Sequence, residues 1–475
     1  MKFYSFIFFL FLIIGLIFYY SSPDKYKKYI LILLNFSFYS YFDYRFAFLM
    51  FLLTSINFIS GNFLIDFKKE EHKNNIFIFA LTTNIVALGV FKYYNFFIES
   101  FSSLAALIGF NIELSLLNII APLGISYYLF QTLTYIFDIQ FGSLDKKYSF
   151  VDFVIFASFF PTIIAGPIER ASTLLPQINT PKSFEISSIK KGFALITIGM
   201  MRKLLIADPI GLMVSQIFSE PQYYRSVEIL VAVILYPIQL YNDFAGYSSI
   251  ARGVAKLFGF NIISNFKQPF LATSIADFWR RWHISFSFWL RDYLFTPLQL
   301  KFRDKGSFGT IYAIMLTFFI CGLWHGPTWG NVLWGLIHGI YLTVSTLSTN
   351  FRNSLLNTFR PNITLLNLFR RTFIFIIIVL SFLIARADNL NVAFNMLISI
   401  IKWTPSELTN RFLIILLAGF TLSFTIDLME IKYKSQAFLM KLKPALQSAI
   451  YLSLWVFFIL LLMTQNKLPF IYEKF

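Results

Sequence analysis

Charge and cysteine are both scarce in this 475-residue sequence. Charged residues make up 13% of the chain, about half the usual share in soluble proteins, whereas hydrophobic residues make up 57%. Cys321 is the only cysteine, which excludes an intrachain disulfide framework. These proportions exclude a soluble globular protein, a disordered chain and a secreted disulfide scaffold. They predict an all-α polytopic membrane protein, for which the lipid bilayer is the first partner.

The charge that is present is mostly positive, and the formal net charge is +16. The basic residues fall in short loops between apolar runs, so retention of cationic loops in the cytoplasm explains them better than nucleic-acid binding does. We therefore expect no nucleic-acid partner. The segments 250–305 and 429–446 should face the cytoplasm, and the tail 465–475 should be extracytoplasmic. The apolar runs predict about ten to twelve crossings plus partial ones, with no room for a soluble domain.

Two stretches in the first half of the chain depart from plain membrane helix. Residues 159–170 contain Pro161 and the pair Gly166-Pro167, which break a helix and free backbone groups that must be buried or line a wet cavity. This stretch is either a helix end at the interface or part of a site. Farther along, Asp243 lies beside apolar sequence, where a carboxylate is costly. We expect it to have a partner or water, unless it caps a helix at the membrane surface.

An aromatic segment at 277–297 combines rings with cations. The rings recur at three- and four-residue steps: Trp279, Trp282, Phe286, Trp289 and Tyr293. Their spacing predicts one helix that lies in the interface or dips into it, with Arg280 and Arg291 on another face toward headgroups or an anionic ligand. An interfacial anchor without chemistry also explains the stripe, but it explains less well why His283 lies inside it.

A histidine closes the apolar run 308–324. The pair Gly326-Pro327 stops the helix directly after His325, so an imidazole is presented at a helix break at or near membrane depth. Such a group can take a proton from a hydroxyl and return it to a leaving group near neutral pH. We favour that role over a merely hydrogen-bonded histidine, because polar residues at membrane depth are usually functional. His338 is either a second member of the site or a packed helix contact.

Other chemistries have less support in the sequence. Cys321 lies four residues before His325 and could form a thiol–imidazole pair, but a free cysteine in an apolar helix usually packs. The histidines show no metal-ligand spacing, so we predict no metal. The sequence has no Walker A loop, no dinucleotide fingerprint and no G-x-S-x-G elbow, so we predict no bound cofactor. The apolar and aromatic tail 465–475 is either an interfacial anchor or a segment that folds back and places the Tyr472 hydroxyl at a site.

Five blocks together resemble the membrane-bound O-acyltransferase family, in particular the bacterial branch with the alginate O-acetylation membrane protein and the peptidoglycan O-acetyltransferase. They are PLGISYYLFQTLTYIFD (122–138), FFPTIIAGPIER (159–170), QLYNDFAGYSSIARG (239–253), NFKQPFLATSIADFWRRWHISFSFWLRDYLFTPL (265–298) and GLWHGPTWGNVLWGLIHG (322–339). The resemblance spans most of the chain and implies one membrane-embedded acyltransferase domain over 1–475, with core motifs at 120–345.

The resemblance also implies a fold and a set of site residues. The family fold is a ring of tilted helices, with re-entrant and interfacial helices, around a central tunnel. The motifs place His325 at the family's catalytic histidine and His283 at another recurrent polar position, so both are catalytic candidates. The ending around Tyr472 resembles a C-terminal signature of this branch and makes Tyr472 the candidate acyl relay. The candidates for the tunnel or for donor binding are Arg280, Arg281, Arg291, Trp324, Asp243 and His338.

The function that the resemblance implies is O-acyl transfer in the bacterial inner membrane. An acetyl group would move from a cytoplasmic thioester, either acetyl-CoA or a carrier thioester, toward hydroxyls of an extracytoplasmic polymer such as peptidoglycan or an alginate-like exopolysaccharide. A secreted or periplasmic esterase-like partner would complete the transfer. The alternatives are a passive transporter or flippase of an acyl or glycan intermediate, a scaffold of a polysaccharide machine, and D-alanyl transfer to teichoic acid.

Overall fold

The computed structural model describes residues 1–110, 114–404 and 410–463, and within these ranges the chain is helical and has no strand. The α-helices in chain order are α1 Phe6–Ser21, α2 Asp24–Ser40, α3 Tyr44–Asp66, α4 Glu70–Leu88, α5 Tyr94–Leu107, α6 Ile125–Gln140, α7 Phe150–Ser158, α8 Ala171–Asn179, α9 Ile186–Met200, α10 Asp208–Ser219, α11 Ser226–Leu257, α12 Ile275–Trp279, α13 Ile284–Leu290, α14 Thr296–Lys301, α15 Gly306–His325, α16 Trp329–Leu347, α17 Thr349–Phe359, α18 Ile363–Arg386, α19 Leu390–Lys402, α20 Asn410–Tyr433 and α21 Pro444–Met463.

The chain divides into two compact units. The first comprises Met1–Phe193 and Ala251–Ile263, and the second comprises Ala194–Ile250 and the residues from Ser264 onward. The helices α9 and α11 contribute residues to both units. All the histidines discussed as site candidates belong to the second unit.

The described ranges contain seven helices that are long and apolar enough to cross a membrane. They are Tyr44–Asp66, Glu70–Leu107, Ser226–Leu257, Arg303–His325, Ile363–Arg386, Phe412–Tyr433 and Pro444–Leu461. The count becomes eight if α16 and α17, bent by 54° at their junction, form one broken span. This number is below the ten to twelve crossings expected from the apolar runs. One reason is that some runs contain helix breaks, as 150–166 does, where α7 ends at Ser158.

The irregular stretch 159–170 is buried inside the first unit. Its freed backbone groups bond to side chains of neighbouring helices: the Phe160 amide donates to Asn35 Oδ1 at 3.0 Å, and the Ala171 amide just beyond donates to Thr134 Oγ1 at 3.0 Å. The Glu169 carboxylate is also buried and accepts from the Ile263 amide at 2.6 Å. Burial raises the pKa of Glu169 to about 7. The stretch is therefore held by protein rather than by lipid headgroups.

The hairpin of α15 and α16 turns at the predicted break. Helix α15 ends at His325, because Gly326 and Pro327 follow and a proline cannot continue the hydrogen-bond ladder. Thr328 then starts α16, and its hydroxyl accepts from the Asn331 amide at 3.2 Å. The sequence prediction of a helix break directly after His325 is confirmed.

Glycines let the two helices of this hairpin approach backbone to backbone. A Cβ atom on Gly322 would collide with the carbonyl oxygen of Asn331, and one on Gly335 would collide with that of Phe318. Side chains larger than hydrogen are therefore excluded at both positions. The close approach fixes the position of His325, near the end of α15, against the first turns of α16.

The aromatic segment 277–297 is not one helix, so that prediction is wrong. Helix α12 ends at Trp279, α13 begins at Ile284, and a π-helical turn follows at Arg291–Phe295. The break lies at His283, whose φ of 43° is left-handed and interrupts a right-handed helix. The spacing of the rings could not reveal this backbone change, because the contacts that hold it come from residues outside the segment.

Candidate active site

His325 lies at the end of α15 with 8% of the residue exposed. Its ring meets Trp334 edge to face, with centroids 5.0 Å apart, and meets Phe286 in the same manner at 5.5 Å. Both contacts are apolar, so the imidazole is screened from bulk water on these sides. A base in such surroundings acts on a proton without competition from many solvent molecules.

His283 is fully buried and occupies the left-handed turn between α12 and α13. The turn is held by Asn265, whose carbonyl oxygen accepts from the Ile284 amide at 2.9 Å. The side-chain Oδ1 of Asn265 accepts from the Ser285 hydroxyl at 2.6 Å. A left-handed conformation is unfavourable for a residue with a side chain and persists only where the surroundings fix it. Asn265 thus helps to hold the backbone turn from which the His283 side chain projects.

The two imidazoles face a common aromatic wall. Their ring centroids are 6.3 Å apart. Phe286 stacks on His283 at 5.0 Å and on Trp324 at 4.1 Å, which joins the three rings in one layer. Burial, with the nearby His325 as a smaller cause, lowers the pKa of His283 well below its ordinary value. His283 is therefore neutral at pH 7 and can donate one hydrogen bond and accept another.

A small cavity adjoins His325. Its volume is about 30 Å³, and its lining includes Tyr236, Asn331, Trp334 and Phe382. A cavity of this size holds about one or two water molecules, whereas pockets for drug-sized ligands have about 300 Å³ or more. The ring is thus next to a space for a hydroxyl oxygen and not next to a space for a whole thioester.

His338 joins the cluster through Trp334, whose ring centroid is 5.0 Å from that of His325 and 4.8 Å from that of His338. The Ser381 hydroxyl donates to the Ile378 carbonyl at 2.9 Å and therefore accepts from Nε2 of His338 at 3.1 Å. This bond ties α16 to α18. The arrangement favours the packed helix contact over a second base at the reaction centre.

Asp243 lies on α11, is 2% exposed and forms an ion pair with Lys203 at 2.7 Å. Lys203 also pairs with Asp208 at 2.9 Å. The carboxylate thus has a cation as its partner, and it does not cap a helix at the surface. Lys203 lies on a π-helical turn, Met201–Ala207. In such a turn, side chains project in other directions than they would from a regular α-helix.

A second buried charge cluster is centred on Arg202, the neighbour of Lys203. Arg202 Nη2 lies 2.6 Å from Asp427 Oδ1 and 3.0 Å from Glu430 Oε1, and Nη1 donates to Asn242 Oδ1 at 3.0 Å. The Arg202 side chain is 1% exposed. The cluster therefore ties the π-helical turn to α11 and α20 in the interior of the second unit.

The three arginines proposed for donor binding lie on more accessible surface. Arg281 pairs with Asp277 at 3.0 Å, Arg280 reaches the same carboxylate at 3.8 Å, and Arg291 pairs with Asp292 at 2.6 Å. The side chains of Arg280 and Arg291 are 65% and 53% exposed. Such surface pairs contribute little, so both side chains remain available to an anion. Tyr472 and the remainder of the tail 465–475 lie outside the described residues.

Several residues that shape this site were not among the candidates predicted from the sequence. Trp334 has a signal that could have found it, because it precedes His338 by four residues and so shares a helix face with it. Asn265, Arg202 and Lys203 have no such local signal. The partners of Arg202 lie 225 and 228 residues away in sequence, so the pairing arises only from the fold.

Comparison with known proteins supplies the family. The model of the membrane-bound O-acyltransferase (MBOAT) family matches residues 17–385. The chain belongs to the MBOAT family. It is 32% identical over 412 residues to the probable alginate O-acetylase AlgI of Pseudomonas putida, covering 84% of this chain and 80% of that protein. It is 30% identical over 357 residues to the peptidoglycan O-acetyltransferase of Helicobacter pylori, covering 68% of this chain and 65% of that protein.

A relative that matches a shorter part of the chain transfers a different group according to its name. The teichoic acid D-alanyltransferase of Bacillus subtilis is 31% identical over 233 residues, which cover 48% of this chain and 59% of that protein. Family and relatives together make this MBOAT protein an O-acyltransferase. Its apolar helices make it a multi-pass membrane protein.

Proposed function

We propose that this enzyme transfers an acetyl group from a cytoplasmic thioester, acetyl-CoA or a carrier thioester, toward hydroxyls of an extracytoplasmic polysaccharide. The observation that carries the proposal is the placement of His325: a buried imidazole at a helix end, beside a space for one hydroxyl. The named activities of the alginate and peptidoglycan relatives support acetyl as the group and a polysaccharide as the acceptor.

In the proposed reaction, His325 takes the proton of an incoming hydroxyl. The oxygen attacks the thioester carbonyl, the new C–O bond forms, and the C–S bond breaks. The imidazolium then returns its proton to the leaving sulfur, so the base is restored and a free thiol departs. Protons and electrons balance without an added reagent.

His283 is proposed to act in the same step as a neutral hydrogen-bond donor. The carbonyl oxygen of the thioester gains negative charge as the hydroxyl attacks, and a fixed donor in apolar surroundings stabilises that charge. The two ring centroids are 6.3 Å apart, a contact distance for rings, so a donor at His283 would lie directly beside the base at His325. The backbone turn that Asn265 holds would contribute to the preorganisation that such a donor requires.

Further parts of the chain are proposed to bind the donor on one side of the membrane and to pass the acetyl group to the acceptor on the other. Arg280, Arg281 and Arg291 are proposed to bind the anionic donor at the cytoplasmic side. Tyr472 is proposed to accept the acetyl group first, because a phenol with a pKa near 10 is a good leaving group in the next transfer. An extracytoplasmic esterase-like partner would then move the acetyl group to sugar. This route requires that the enzyme lies in the inner membrane with its C-terminus outside the cytoplasm.

The test measures base-released acetate from purified peptidoglycan and from exopolysaccharide of cells that carry the wild type or His325→Ala. Loss of acetate at an unchanged protein level is the expected result. His72→Ala is the matched control, because His72 is an exposed histidine and its removal should leave acetate unchanged. Equal acetate in wild type and His325→Ala, in both polymers, would contradict the proposed chemistry.

D-Alanyl transfer to teichoic acid is a second candidate, supported by the resemblance to the teichoic acid enzymes, which covers just under half of the chain. The same base treatment releases D-alanine from such esters. If His325→Ala lowers D-alanine and leaves acetate unchanged, the second candidate replaces the first.

A further inference from the structure

A second cavity in the second unit has no part in the proposed reaction. Its volume is about 310 Å³, and it lies between α18, α20 and the turn Pro269–Leu271. It shares no lining residue with the cavity beside His325. At this size it reaches the range of ligand-binding pockets.

The cavity has an apolar side that continues to the lipid-facing surface. Phe420 and Phe424 of α20 line it and are 47% and 46% exposed, and Leu368 of α18 is 61% exposed. Both helices are candidate membrane spans. Hydrocarbon of the bilayer therefore meets these side chains, and a lipid tail can lie along them without entering water.

The polar side of the cavity carries two opposite charges. Arg371 of α18 is exposed and has no ion pair or hydrogen bond with any residue that the structure describes. Asp427 of α20 is 8% exposed, and its Oδ1 accepts from Arg202 at 2.6 Å and from the Tyr241 hydroxyl at 2.8 Å. Within the described ranges, its second oxygen accepts no hydrogen bond. The cavity thus offers a guanidinium and a carboxylate oxygen to one ligand.

These charges select a zwitterionic amphiphile. A guanidinium binds phosphate through two parallel hydrogen bonds, and a carboxylate binds an ammonium group through charge-assisted ones. Arg371 lies in the first half of α18 and Asp427 near the end of α20, close to Lys432 and Lys434 in sequence. Basic pockets between membrane helices commonly bind lipid headgroups.

We propose that this cavity binds one phosphatidylethanolamine molecule, with its phosphate on Arg371, its ammonium group on Asp427 and its acyl chains along α18 and α20. The proposal is independent of the acyl-transfer chemistry, since the lipid is bound and not consumed.

The test titrates delipidated full-length protein in detergent with phosphatidylethanolamine and counts bound lipid by native mass spectrometry. Wild type is compared with Arg371→Gln and with the matched control Arg370→Gln, which removes the neighbouring arginine that does not line the cavity. Two further probes separate the contribution of the ammonium group to the affinity from that of the acyl chains. Phosphatidylcholine lacks the N–H donors, and glycerophosphoethanolamine has the same headgroup without acyl chains.

Wild type and Arg370→Gln are expected to bind phosphatidylethanolamine at least about tenfold more tightly than Arg371→Gln does, the loss expected for one charge-assisted contact. Phosphatidylcholine should bind more weakly by a similar factor, and glycerophosphoethanolamine should not compete at equal concentration. Equal binding by wild type and Arg371→Gln would overturn the site. Equal binding of the two lipids would overturn the role of the ammonium group, and effective competition by glycerophosphoethanolamine would overturn the assignment to a membrane lipid.

Discussion

Replacing Arg202 by methionine should destabilise the protein strongly, because the change leaves two carboxylates buried without their cation. The Arg202 guanidinium is within 3.0 Å of both Asp427 and Glu430, whose side chains are 8% and 4% exposed. Removing one partner of a buried ion pair costs about 3–5 kcal/mol, most of it the cost of the stranded charge. We expect a loss in this range for the free energy of unfolding of Arg202→Met.

Neutralising the stranded carboxylates should restore stability. The triple variant Arg202→Met, Asp427→Asn, Glu430→Gln keeps side-chain acceptors for Tyr241 and Gln268 but carries no buried charge at this cluster. It should recover at least half of the loss. Unfolding is followed by tryptophan fluorescence of the purified protein in mixed micelles as the fraction of denaturing detergent rises, and the free energies are compared under identical conditions.

Arg280→Met is the matched control. The Arg280 side chain is 65% exposed and lies 3.8 Å from Asp277, so its loss should change the free energy of unfolding by less than about 1 kcal/mol. Two results would refute the argument: a loss below about 1 kcal/mol in Arg202→Met, or a triple variant that is no more stable than the single one.

Three further predictions follow from the contacts described above. Asn265→Ala should release the turn that holds His283 and lower the base-released acetate by about a hundredfold at an unchanged protein level, and wild-type activity would show that the turn is held by other contacts. His338→Gln and Ser381→Ala should each cost about 1 kcal/mol in the free energy of unfolding, with little loss of transfer, and a large loss of transfer in both would assign the pair to the chemistry. The pKa of Glu169, raised from 4.5 to about 7, keeps the folded carboxyl protonated where the unfolded one has ionised, so stability should fall as pH rises from about 4.5 to 7 and then level off. Glu169→Gln should remove this slope, and an unchanged slope in the variant would contradict its assignment to Glu169.

The sequence was sufficient to predict the features that depend on local chemistry. The break after His325 follows from Gly326-Pro327 alone, and the membrane class follows from composition. The family blocks led to the same histidines that the structure gathers in one aromatic cluster. Asp243 was expected to need a partner because a carboxylate is costly in a membrane, and the partner is Lys203.

Features that depend on distant contacts could not be predicted in this way. The left-handed turn at His283 is imposed by Asn265, 18 residues earlier in the sequence, so the aromatic spacing wrongly indicated a continuous helix. Arg202 and Lys203 stand at the end of an apolar run, where cations usually anchor a helix at the interface. Their burial depends on carboxylates contributed by α11 and α20 and by the start of α10, which no local pattern reveals.

The small size of the cavity beside His325, about 30 Å³, affects how far the acyl group is transferred to the acceptor rather than lost to water. In the proposed reaction, a base that activates an acceptor hydroxyl could also activate water, which would hydrolyse the thioester donor. A space for only one or two water molecules limits this side reaction to those molecules that the acceptor must displace when it enters. The rate of thioester hydrolysis without an acceptor therefore measures how well the empty site protects its donor. Variants that enlarge the cavity, such as Phe382→Ala, should raise the rate of donor hydrolysis by a larger factor than they lower the rate of acyl transfer.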